Sequence, residues 1–198
     1  MKALMLTPRM TMGHGVAEAV AMQVRGLRAI GIDCAVGTLE FDDTYADVAP
    51  FRLAPDVASV IDAVVDTGAS AVVAHGSPYF EVLPGIAPVV RTVAYEYGDP
   101  TPALFAEHAD QRAEIAAEKR TRVYPAVSHV AAISEFVRHD IGWPDARVIR
   151  LGVEHIPDLG PKPWIPPPDR STPLRVATLM RLGAGEARYK GHDELLAL

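Results

Sequence analysis

The chain has 198 residues, 49% of them hydrophobic, and a formal net charge of −6. That length is long for one domain and short for two, and the apolar share is enough for a real core. The acidic balance argues against a broad nucleic-acid surface, so no nucleic-acid partner is expected, and no apolar run reaches the roughly 18 residues that a membrane span needs. A single cysteine, Cys34, cannot form a disulfide within the chain. The start opens on a strand pattern without a basic-then-apolar leader. Together these features predict a reducing, cytoplasmic setting.

Strand and helix signals alternate from the first residues. Ala3 to Leu6 is a short apolar run suited to a strand buried on both faces. The loop Thr11-Met12-Gly13-His14-Gly15 follows. Val16, Ala19, Val20, Gln23, Val24 and Leu27 then recur at helical spacing until Gly31. Glycines between a strand and a helix let a ligand approach the backbone, and the helix N-terminus favours an anion. Gly13, His14 and Gly15 are therefore candidate binding residues, although the same loop also fits a plain strand-to-helix turn. The spacing is not Gly-x-Gly-x-x-Gly, because residue 18 is Glu, which disfavours a dinucleotide fingerprint.

Ile32 to Val36 reads as the second strand. Val57 to Val65 reads as a helix closed by Gly68, and Ala71 to Ala74 as a strand that ends at His75. An imidazole there suits a hydrogen bond to a sugar hydroxyl, or a base; a structurally bonded histidine is the plainer alternative. Val89 to Val93 is another strand, and Tyr95-Glu96-Tyr97-Gly98-Asp99-Pro100 follows it. Aromatic rings cover apolar sugar faces and a carboxylate accepts hydroxyl protons, so Tyr95, Glu96 and Tyr97 suit carbohydrate; a turn with the tyrosines packing fits them equally. Ala103 to about Val123 reads as a long polar helix that ends in the basic run Lys119-Arg120-Thr121-Arg122. Cations offset the macrodipole there, and a membrane-surface contact through Lys119, Arg120 and Arg122 is the alternative. Val130 to Ile133 is a strand, Ser134 caps a short helix and leaves loop amides that could face a ligand, and Val148 to Leu151 is a further strand.

This rhythm predicts an α/β fold: a mostly parallel sheet with helices on both faces in residues 1–156, and ligands beyond the carboxyl ends of the strands. Seven prolines between Pro157 and Pro173 predict a semi-stiff linker over 157–173. Residues 174–198 then begin a second unit. Leu174 to Leu179 reads as a buried strand, followed by Arg181, a glycine-bearing loop, Lys190-Gly191 and the first turn of an amphipathic helix. Two cations beside a helix N-terminus are a usual phosphate site. One cysteine and no His-x-x-x-His pair leave no zinc set, and neither a Gly-x-Ser-x-Gly elbow nor a Walker loop occurs. No metal and no cofactor are expected.

Several of these pieces, in this order, resemble the retaining glycosyltransferases of family 4, which face two Rossmann-like domains across a cleft (the GT-B fold). The N-terminal part resembles the acceptor-side domain through Met12-Gly13-His14-Gly15, Val130-Ala131-Ala132-Ile133-Ser134-Glu135 and Val148-Ile149-Arg150-Leu151-Gly152-Val153-Glu154. The last stretch stands where the family usually has Asn-Gly-Val-Asp. Arg181 with Glu186 to Leu195 is similar to the opening of the donor domain, and the resemblance places Arg181 and Lys190 on the diphosphate of a nucleotide sugar. It implies transfer of a sugar, with retention, to an acceptor hydroxyl without a metal. Two departures stand out. Tyr95-Glu96 replaces the His-Asp pair of many members, and the Glu-x7-Glu segment of the donor domain is absent. The chain is accordingly expected to be an acceptor-side domain with the start of a donor domain, inactive alone. Two other readings remain open: a nucleotide-sugar epimerase on the same architecture, and a non-catalytic sugar-binding or interaction module. The latter includes a homo-oligomer that buries the Leu174 strand.

Overall fold

Strand β1 (Lys2–Met10) sends alternate side chains to opposite faces, as a strand's period of two requires. Ala3 and Met5 pack beneath helix α1 (Gly15–Ala29) with Val20 and Val24, whereas Leu4 and Leu6 join the core on the other side. That second core takes Val60 and Ala63 from α2 (Val57–Thr67), Leu83 and Ile86 from α3 (Leu83–Ile86), and Val137 from α5 (Glu135–Asp140). A strand buried on both faces belongs at the centre of a doubly covered sheet. The computed structural model describes residues 1–98 and 109–152, all of which fall in the unit Met1–Glu154.

Among the described residues the sheet has seven strands, all parallel. β1 is flanked on one side by β2 (Asp33–Phe41) and then β3 (Phe51–Arg52). On the other side follow β4 (Ala71–Ala74), β5 (Arg91–Glu96), β6 (His129–Ala132) and β7 (Arg147–Val148). The predicted Rossmann-like α/β architecture is therefore the observed one. The chain reverses its direction of growth between β1 and β4, and that switch point is where doubly wound sheets open a crevice.

Several boundaries differ from the sequence reading. β1 and β2 run on to Met10 and Phe41, because their polar ends continue to pair, with Thr7 opposite Thr38 and Arg9 opposite Glu40. The strand predicted over Val148 to Leu151 is only Arg147–Val148. β3 and the 3-10 turns Asp43–Val48 and Phe80–Val82 carry no periodic signal and were not anticipated. The predicted polar helix is described from Ala109 as α4 (Ala109–Glu118), and it ends in a π-helical turn, Lys119–Val123. The predicted linker 157–173, the segment 174–198 and the candidate phosphate ligands Arg181 and Lys190 lie outside the described residues.

Candidate functional site

The carboxyl ends of β4 and β5 lie side by side, Ala74 opposite Ala94. Alternation then distributes the next residues. His75, Tyr95 and Tyr97 gather in one aromatic cluster, with ring centroids 5.2 Å apart for His75–Tyr95, 5.9 Å for His75–Tyr97 and 5.4 Å for Tyr95–Tyr97. His75 is only 2% exposed. Its backbone N–H donates to the Leu6 carbonyl at 2.8 Å, which locks the strand end to β1. On the ring, Nδ1 lies 2.9 Å from the Tyr97 hydroxyl, and Nε2 has no partner among the described residues. Burial lowers the His75 pKa to about 3, so the ring is neutral at physiological pH. Burial raises the Tyr97 hydroxyl well above its ordinary range, with Tyr95 adding to the rise. The Tyr95 hydroxyl donates to the Ile149 carbonyl at 2.7 Å, which leaves only its ring for other contacts.

Glu96 points the other way. Its carboxylate is buried against Lys119 at 3.1 Å and accepts from the Tyr124 hydroxyl at 2.6 Å. Lys119 also lies 5.1 Å from the centre of the Phe80 ring. A buried carboxylate needs such partners, because an uncompensated charge in the interior costs several kcal/mol. The π-helical turn begins at Lys119, where an added residue per turn re-aims a side chain. The alternative of a membrane contact through Lys119, Arg120 and Arg122 loses one of its cations: Lys119 is turned into the protein, whereas Arg120 and Arg122 stay exposed, Arg122 binding Glu118 at 3.0 Å and the Glu81 carbonyl at 3.4 Å.

Between these two groups lies a cleft of about 450 Å³. His75, Tyr95, Glu96 and Tyr97 line its strand side, and Val16 brings the first turn of α1 to it. Arg112, Ile115 and Lys119, spaced at three and four residues, form the wall from α4 and its π turn. Two of the residues read from the sequence as catalytic, His75 and Glu96, thus meet in one cleft with Tyr95. The others sit elsewhere. Gly13, whose φ of 81° favours glycine, and Gly15 flank His14, which receives a bond of 3.3 Å from Arg9 at the exposed start of α1; none of the three lines the cleft. Ser134 does not line it either: its hydroxyl accepts from the Val137 N–H at 3.1 Å and caps α5. Sequence reasoning passed over Tyr97 as a polar contact, and it passed over the wall Arg112–Ile115–Lys119. A lysine one helix face from Arg112 and in need of a buried acid was the available signal.

No protein-family model matches the chain, and no curated protein matches it either. The fold does have neighbours among solved structures. An alpha-glucosyltransferase in complex with UDP and a 13-mer DNA containing a central A:G mismatch superposes over 75% of this chain and 40% of that one, with a TM-score of 0.50 and 14% identity. An alpha-glucosyltransferase in complex with UDP and a 13-mer DNA containing a HMU base matches over 75% of this chain and 41% of that one, with a TM-score of 0.46 and 8% identity. The first likeness defines the class: a Rossmann-like α/β sheet of the kind that forms part of a glycosyltransferase. This chain spans about two fifths of the length of that protein. The same likeness corrects the expectation of no nucleic-acid partner. A protein of this fold was solved with DNA, so an acidic total does not exclude such a ligand, which needs only a local patch.

Proposed function

We propose that the chain forms the acceptor-side half of a retaining GT-B glycosyltransferase similar to family 4, which moves a sugar from a nucleotide sugar to an acceptor hydroxyl. The observation that carries this reading is the cleft at the β1/β4 switch, where a neutral imidazole, a phenol and an aromatic floor face a wall bearing Arg112. Rings cover the apolar faces of a pyranose, and neutral hydrogen-bonding groups engage its hydroxyls. Glu96, held by Lys119 and Tyr124, fixes the end of β5 beside the cleft. The negative charge that builds on the departing nucleoside diphosphate needs cations. In this reading Arg181 and Lys190 supply them, with no metal. The open N-terminus of α1 behind Gly13 and Gly15 adds a partial positive charge on the same edge. A lone buried thiol, Cys34, suits a cytoplasmic setting.

The test is binding first and turnover second. Amide resonances of Gly76, Tyr97 and Gly98 should shift when UDP-glucose or methyl glucoside is added to the chain. The full-length protein should then form a glycoside that keeps the donor's anomeric configuration. Binding with no glycoside formed by the full-length protein would favour a sugar-binding module, and an isomerised nucleotide sugar would favour an epimerase. A 13-mer duplex that moves the same resonances at low salt, and loses its effect steeply as salt rises, would place the acceptor hydroxyl on nucleic acid. If none of these ligands perturbs the edge, the reading is wrong.

A further inference from the structure

His75 is placed where a catalytic base would be expected, but its surroundings suit a different task. Its Nδ1 is already occupied by the Tyr97 hydroxyl at 2.9 Å, and the only polar atom it has left, Nε2, belongs to a ring that lines the cleft and is 2% exposed. A buried polar atom without a partner is costly, and a ligand atom that pairs with it relieves that cost. Which way the Tyr97–His75 bond runs decides what Nε2 offers. Two arrangements satisfy 2.9 Å: the phenol donates to Nδ1, or Nδ1–H donates to the phenol oxygen.

The chemistry of the two groups breaks the tie. A phenol is the stronger donor and the weaker acceptor of the pair, and an unprotonated imidazole nitrogen is a strong acceptor, so the bond runs from the Tyr97 hydroxyl to Nδ1. A neutral imidazole with Nδ1 as acceptor carries its own proton on Nε2.

We propose that Tyr97 holds His75 as a neutral hydrogen-bond donor whose Nε2–H meets a hydroxyl oxygen of the ligand in the cleft, so that His75 orients the sugar rather than taking its proton. The ligand part of this inference rests on the cleft being the sugar site; the tautomer part does not. The groups facing the imidazole are neutral: Tyr95 near the end of β5 and Tyr97 just after it. The charged groups of the cleft, Glu96, Arg112 and Lys119, come from the opposite wall and strand face. Desolvation is the sole cause of the imidazole's lowered pKa. Sugar binding through this donor is accordingly independent of pH across the range in which an ordinary histidine titrates, and Tyr97 is a positioning residue.

Nitrogen-15 spectra of the imidazoles of the full chain test both parts. One of the seven histidine rings should keep constant shifts from about pH 5 to about pH 8, with its proton on Nε2. Its absence from the His75→Asn spectrum identifies it; if that variant does not fold, the ring that responds in Tyr97→Phe does so. Tyr97→Phe keeps the ring packing and removes the donor, and should let both tautomers of His75 become populated. A proton on Nδ1 in the wild type, titration near the ordinary value of about 6.5, or a tautomer unmoved by Tyr97→Phe would each overturn the role given to Tyr97. UDP-glucose should then shift the Nε2 resonance by a similar amount at both ends of the pH range. A static Nε2 resonance with a correct tautomer would sink the sugar assignment alone.

Discussion

At the scale of single residues, the buried imidazole ties stability to pH in a definite direction. His75 has its pKa lowered to about 3 in the folded chain, whereas an unfolded histidine titrates near about 6.5. Between those values the unfolded chain takes up a proton that the folded one refuses, so stability falls as pH drops below about 6.5. The loss is up to about 1.4 kcal/mol per pH unit and ends near the lower value. Urea midpoints measured near neutrality and in mild acid should draw closer together in His75→Gln than in the wild type. An unchanged acid slope would contradict the burial. The Glu96–Lys119 pair makes a second prediction. Lys119→Met strands a carboxylate that is 3% exposed and should cost about 3–5 kcal/mol. Adding Glu96→Gln, which retains the bond with Tyr124, should restore most of that stability in equilibrium unfolding. A neutral Lys119→Met would show that the pair does not hold the end of β5.

At the scale of elements, close approach decides what the sheet tolerates. A Cβ on Gly37 of β2 would come within 2.7 Å of Leu53 Cδ2 and 3.1 Å of Leu6 Cδ2. Leu6 is fully buried in the core, so the strand has little room to give. Gly37→Ala should lower stability by about 1–3 kcal/mol, read from the denaturation midpoint. Much of this level of structure was legible in the chain. Gly68 ends α2 as a left-handed terminator and Ser134 caps α5, as the sequence reading has them, because such signals act over three or four residues; Asp56, which caps the start of α2, was passed over. β3 was not legible. Its two residues, Phe51 and Arg52, form a strand only because Gly37 and Thr38 of β2 lie beside them. The π-helical turn was hidden for the same reason: it answers to Glu96, which is 23 residues away from Lys119.

At the scale of the whole molecule, alternating signals announced a parallel sheet, but only the coordinates order its strands around β1. The site was half legible. His75, Tyr95 and Glu96 could be found because strand ends collect chemistry in this architecture. The wall from α4 could not, since a polar helix reveals its inward face only against a partner. Net charge was the least informative property: it sums over the surface, and the buried Lys119 shows how little the sum says about where charge sits. With every strand pointing the same way, the opposite rim of the sheet carries, among the described residues, short connections such as Gly31 and Ser70, whose N–H binds back to the Lys2 carbonyl at 2.9 Å. A dye, an affinity handle or a surface tether attached at that rim would therefore hold and report on the protein with its ligand-facing side left open to solution.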